Sequence, residues 1–160
     1  MAPRRLLRAA VTIPLVLPPV VGGLALLLLL GRNGVLGRYL ALTGVTIPFT
    51  TGAVVIAQTF VAMPFLVFAV EGALRGADRR VELAAASLGA SPWRVFRTVT
   101  IPLVAPGIAA GAVLCFARAL GEFGATITFA GSFPGVTRTL PIASYLASQT
   151  DLNQSIALAL

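Results

Sequence analysis

A chain of 160 residues that is 58% apolar and only 11% charged, with a mean hydropathy of +0.95, lies far from the roughly 25% charged make-up of soluble domains and reads as an integral membrane protein. All twelve cationic residues are arginines, set against five acids for a formal charge of +7, yet they sit mostly between apolar runs, as expected of cytoplasmic loops and not of a nucleic-acid surface. With no histidine, Ser/His and Cys/His catalysis, HExxH zinc sites and histidine proton relays are excluded; the one cysteine, Cys115, sits in an apolar run as a small hydrophobe, and neither a catalytic residue nor a metal site is expected.

Val11 to Leu30, VTIPLVLPPVVGGLALLLLL, is twenty residues without a charge, enough at ~1.5 Å per residue to cross the ~30 Å of a hydrocarbon core. Pro14, Pro18, Pro19, Gly22 and Gly23 predict a kinked or partly unwound span that relies on neighbouring helices for its freed backbone groups. A signal peptide is the competing reading of MAPRRLLRAA and this run, but the leucines end in GRNGVLGRYL with no small-x-small cleavage pattern. Beyond that turn-rich linker, Ala41 to Val70 is uncharged over thirty residues. Its Thr43 to Thr51 portion, with Gly44 and Pro48, predicts an interfacial approach, and the second span then runs over about 53–70.

The third span is 101–120. Phe123 to Pro141, uncharged but for Arg138 and rich in Gly, Thr, Ser and Pro, predicts a loop or re-entrant turn, followed by a short helix near Pro141 to Gln149. The closing LNQSIALAL, 152–160, covers only about 13 Å and is expected to be the start of a fourth span, cut short. Arg4, Arg5 and Arg8 precede span one, and Arg75, Arg79, Arg80, Arg94 and Arg97 lie between spans two and three, against Arg32, Arg38 and Arg138 in the alternate loops. Eight against three predicts a cytoplasmic N-terminus and a cytoplasmic loop over about 75–100.

That loop is more than a connector. Val81, Ala84, Ala85 and Leu88 recur at i, i+3, i+4 and i+7, one helical face, with Arg79, Arg80, Glu82 and Ser87 off the stripe. Gly89 ends the helix; Ser91 as N-cap and Pro92 in the first turn predict a second short helix on which Trp93 and Phe96 share a face. A DNA-reading helix-turn-helix fits poorly with tethering to spans at both ends. An amphipathic pair lying on lipid headgroups and a surface on which a partner docks both remain open on these residues.

LAAASLG, 83–89, followed after nine residues by VTIP, 99–102, resembles the EAA loop of bacterial ABC-importer permeases, matching at Ala84, Ala85, Gly89, Val99, Ile101 and Pro102. Leu83 holds the position of that motif's glutamate, while Glu82 stands one residue earlier. The resemblance implies that the loop fits a cleft in a separate ATP-hydrolysing subunit and passes its motion to the membrane helices. The coupling residues are then Glu82, Leu83, Ala84, Ala85, Leu88 and Gly89, with Trp93, Phe96 and Pro102 beyond.

FARALGEFGATITFAGSFPGVTRTLPIASY, 116–145, and PLVLPPVVGG in the first span resemble the permease subunit of molybdate importers, TITFAG and PGVTRTLP tipping the choice away from sulfate and thiosulfate permeases. Together these resemblances imply an all-α, polytopic transmembrane helical bundle of the ABC-importer permease type, a single permease domain over 1–160 with three full spans and a truncated fourth, apparently a partial chain. They further imply a multi-pass protein of the bacterial cytoplasmic membrane, working as a homodimer with ATP-binding cassette subunits and an extracytoplasmic molybdate-binding protein. ATP and Mg are expected on the partner subunit, since no GxxxxGK[ST] loop occurs here. Rival readings are a sulfate, thiosulfate or tungstate permease and a truncated, non-transporting membrane scaffold.

Arg118 lies sixteen residues past Pro102, about 24 Å along a helix and so near the outer edge of the bilayer. Glu122, four residues on, shares its helix face. An intrahelical ion pair and a pair bracing the outer gate of the translocation path both fit. Thr126, Thr128 and Thr137 offer hydroxyls to a passing oxyanion, or cap turns.

Overall fold

The computed structural model describes the backbone of residues 2–159 and the side chains of residues 8–158. Arg4 and Arg5, which enter the orientation count, therefore have side chains outside the described residues, as does Leu160 of the last apolar run. Among the described residues every regular element is helical. The first apolar run is not one helix: α1 (Ala2–Val16) stops and α2 (Pro19–Leu30) begins after Pro18, whose backbone is extended at φ −54°, ψ 138°. The cause is local, because Pro19 drives the residue before it out of the helical region while itself fitting a helix's first turn. At 12 residues, α2 reaches only ~18 Å.

A six-residue helix, α3 (Gly37–Leu42), and a turn-rich stretch lead to α4 (Thr51–Gly76). The segment after α4 holds α5 (Arg79–Ser87) and α6 (Pro92–Val95), and a π-helical turn over Phe96–Thr100 joins α6 to α7 (Ile101–Leu120). Among the described residues, two continuous helical stretches are long and apolar enough to cross a membrane, Thr51–Gly76 at 26 residues and Pro92–Leu120 at 29, with Pro19–Leu30 as a shorter apolar helix. After them come α8 (Gly124–Ala130), α9 (Leu140–Ser148) and α10 (Leu152–Ala159).

The chain forms two compact units, one of residues 1–62 with 117–160 and one of residues 63–116. The core of the first is built by Leu26 of α2, Ala53, Val54, Ala57 and Val61 of α4, and Ala125, Phe129 and Ala130 of α8. Here the expectation of a loop or re-entrant turn from Phe123 onward is corrected: its first part is the helix α8. Gly, Thr and Ile in GATITFA are poor helix formers, but enclosure of Ala125, Thr126, Phe129 and Ala130 outweighs propensity. Helix α8 can come so close to α2 because both meet through glycine; a Cβ on Gly124 would lie 3.0 Å from the Pro19 Cβ. Helices α9 and α10 are joined by Ser155 Oγ donating to the Ser144 carbonyl at 2.9 Å, the small-polar contact common between membrane helices.

In the second unit, Gly107 and Gly111 of α7 face Ala73 and Ala69 of α4, and a Cβ on Gly111 would lie 2.6 Å from the Ala69 Cβ. This four-residue spacing of small residues lets two backbones approach where lipid-facing Leu or Val would hold them apart. The π-turn also has a sequence cause. Pro102 has no N–H for the Thr98 carbonyl and its ring crowds that group, so the preceding turn widens and Ile101 N–H bonds back to the Phe96 carbonyl five residues earlier.

Candidate functional site

The loop between α4 and α7 folds as helix, glycine turn, helix. Asp78 caps α5, its carboxylate accepting from Arg80 N at 2.9 Å, and Gly89 closes the helix with φ +85°, a left-handed conformation that side chains resist. Ser91 caps α6 through Oγ, which accepts from Arg94 N at 3.4 Å, with Pro92 in the first turn. No residue of α5 is buried. Its predicted stripe is turned outward: Leu88 is 88% exposed, Val81 and Ala84 are exposed and Ala85 is half-buried. Trp93, 68% exposed, stacks on Phe96 with ring centroids 5.7 Å apart, so the shared face expected of them is present. Pro102 is exposed at the start of α7.

The other side of α5 lines a groove of about 570 Å³ with α6 and the π-turn, walled by Arg79, Glu82, Leu83, Ala86, Val95 and Phe96. Glu82 is directed across it, and its Oε1 accepts from Thr100 Oγ1 at 2.6 Å. Leu83, in the glutamate position of the motif, is 68% exposed. The acid one residue earlier is thus turned by about 100° around the helix and bonded inside the chain. Sequence reasoning missed Thr100; the available signal was a hydroxyl just before a proline at the mouth of an apolar span.

At the far end of α7, Arg118 Nη1 lies 2.7 Å from Glu122 Oε2, and Glu122 is 1% exposed. The pair is not intrahelical as expected, because α7 stops at Leu120 and Glu122 sits in the link to α8. Its second oxygen, Oε1, accepts from Ala125 N at 2.8 Å, so one carboxylate both neutralises a guanidinium and caps a helix start. The threonines divide sharply. Thr128 Oγ1 donates to the Gly124 carbonyl at 2.8 Å within α8, and Thr137 Oγ1 accepts from Phe133 N at 2.9 Å, holding a local turn. Thr126 is fully enclosed and its hydroxyl has no hydrogen-bond partner among the described residues.

Across residues 2–160 the chain matches the family described as the binding-protein-dependent transport system inner membrane component. The chain belongs to that family. Among relatives of this transport component, the molybdenum transport system permease protein ModB of Mycobacterium tuberculosis is 57% identical over 156 residues, covering 98% of this chain and 59% of the relative. The protein of the same name from Escherichia coli is 48% identical over 153 residues, covering 95% of this chain and 67% of the relative. That of Haemophilus influenzae is 48% identical over 148 residues, covering 92% and 65%. The chain thus spans about three-fifths of the length of its mycobacterial relative. Membership in an inner membrane family agrees with the apolar helices, and it places the outward-turned loop in an inner membrane component of a transport system.

Proposed function

We propose that the protein carrying this chain is the membrane-spanning permease subunit of an ATP-driven importer of molybdate. The observation that carries this reading is identity of 57% to a molybdenum transport permease over 98% of the chain, loop and outer segment included. The subunit makes and breaks no bond; ATP and Mg act on a separate ATP-binding cassette subunit, a second permease copy completes the pathway, and an extracytoplasmic binding protein delivers the oxyanion. The outward apolar face of α5, with Leu88, Trp93 and the Gly89 turn, meets the ATPase subunit. Arg118 and Glu122 brace the outer end of the pathway.

The test is uptake of labelled molybdate by cells lacking their own importer and expressing the full-length gene with its partners. Uptake is expected to be suppressed by unlabelled molybdate and tungstate, tetrahedral dianions of nearly equal size, and little affected by sulfate. Strong competition by sulfate would overturn the substrate assignment, and absent uptake despite normal insertion would favour a non-transporting scaffold.

The arginine count supports a cytoplasmic N-terminus and a cytoplasmic α5 loop. A reporter active only outside the cytoplasm is expected to be silent when fused after Ser87 and active after Asn33 or Gly135. The reverse pattern would overturn the orientation.

A further inference from the structure

We propose that the hydrogen bond between Glu82 and Thr100 is a mechanical joint through which movement of α5 is delivered to the π-turn at the root of α7. This rests on the importer reading above. Helix α5 has no buried residue, so little apolar packing holds it to the rest of its unit. Across the groove, the Thr100 hydroxyl reaches the Glu82 carboxylate at 2.6 Å, the short length of a bond to an ionised acceptor. Thr100 is itself 8% exposed, and it is the last residue of the π-turn Phe96–Thr100. It therefore sits where the helical ladder is already widened by Pro102, and where a change of register needs the fewest bonds broken.

A pull on α5 reaches this turn through one side-chain bond as well as along the chain, which passes through the Gly89 bend and the four-residue α6. Glu82 is then a positioning residue acting on α7, and its displacement by one place from the motif's glutamate brings the acid to the joint, while Leu83, 68% exposed, lines the groove beside it.

The experiment uses the full-length permease assembled with its ATPase subunits in proteoliposomes, with binding protein and molybdate, measuring uptake and ATP hydrolysis in parallel. Thr100→Val removes the hydroxyl at nearly constant volume, and molybdate moved per ATP is expected to fall about tenfold, the factor commanded by a hydrogen bond to a charged group, with assembly retained. Thr100→Ser restores the hydroxyl and is expected to restore coupling. Glu82→Ala combined with Thr100→Val is expected to be no worse than the more impaired single variant. An unchanged coupling ratio in Thr100→Val, or multiplying effects in the double variant, would overturn the joint.

Hydrogen exchange on the wild-type complex keeps the idea testable should a variant fail to assemble. The amides of 79–87 and 96–101 are expected to change protection together on ATP binding, and a change confined to one segment would overturn the proposal. Wild-type vesicles that accumulate no molybdate would sink the importer reading alone, because exchange still tests the joint.

Discussion

Glu122→Ala in the full-length protein is expected to lower stability by about 3 kcal/mol, the lower end for breaking a buried ion pair, because Arg118 keeps 28% exposure while Glu122 has 1%. Two groups lose their partner at once: the guanidinium at 2.7 Å and the Ala125 N–H at 2.8 Å. Replacing both Arg118 and Glu122 with leucine strands no charge and leaves only the Ala125 N–H without its acceptor, so that variant is expected to be more stable than Glu122→Ala. Denaturant titration in mixed micelles reads both. Wild-type stability in Glu122→Ala would show that Arg118 readily finds another acceptor. The geometry also explains why exchanging the two charges, attractive on spacing alone, is expected to fail. An arginine at position 122 cannot accept from the Ala125 N–H, whatever it does for the pair.

Gly23→Ala is expected to separate α2 from α8 and lose about 2 kcal/mol or more, while Gly22→Ala is expected to be close to neutral. A Cβ on Gly23 would lie 2.7 Å from the Ala125 carbonyl oxygen, 2.9 Å from the Ala125 Cα and 2.9 Å from the Thr128 Cβ. Two of those atoms are backbone, so relief requires moving a helix whose residues Ala125, Phe129 and Ala130 form the core of the unit. A Cβ on Gly22 meets only the Phe60 ring, at 3.1 Å, and a ring edge can turn aside. Alanine also suits a helix better than glycine by up to ~1 kcal/mol, which offsets the small repacking. Thermal stability of the two full-length variants, measured side by side, checks the contrast; equal losses would mean that α2 and α8 do not approach through Gly23.

The loop between α4 and α7 was readable because each of its signals is local. Ser91, Pro92 and Gly89 specify a cap, a first turn and a left-handed stop by their own chemistry, and apolar residues at helical spacing mark a face whether or not a partner is present. The segment from Phe123 onward was less readable, since GATITFA has only its two alanines as good helix formers and no clean period, and becomes helical through what packs on it. Thr100 was missed because its partner, Glu82, lies eighteen residues away and no spacing rule joins them.

By itself, the sequence determined membrane residence, the absence of histidine chemistry, the break at Pro18–Pro19 and the helix-turn-helix of the loop, all consequences of composition or of neighbouring residues. Tertiary structure alone decided which of two adjacent glycines lies against a neighbouring backbone, which threonine hydroxyls are already bonded, and that Glu122 caps α8 as well as pairing with Arg118. The physical reason is that close approach of backbones and satisfaction of buried polar groups depend on what lies opposite in space, and residues distant along the chain supply it.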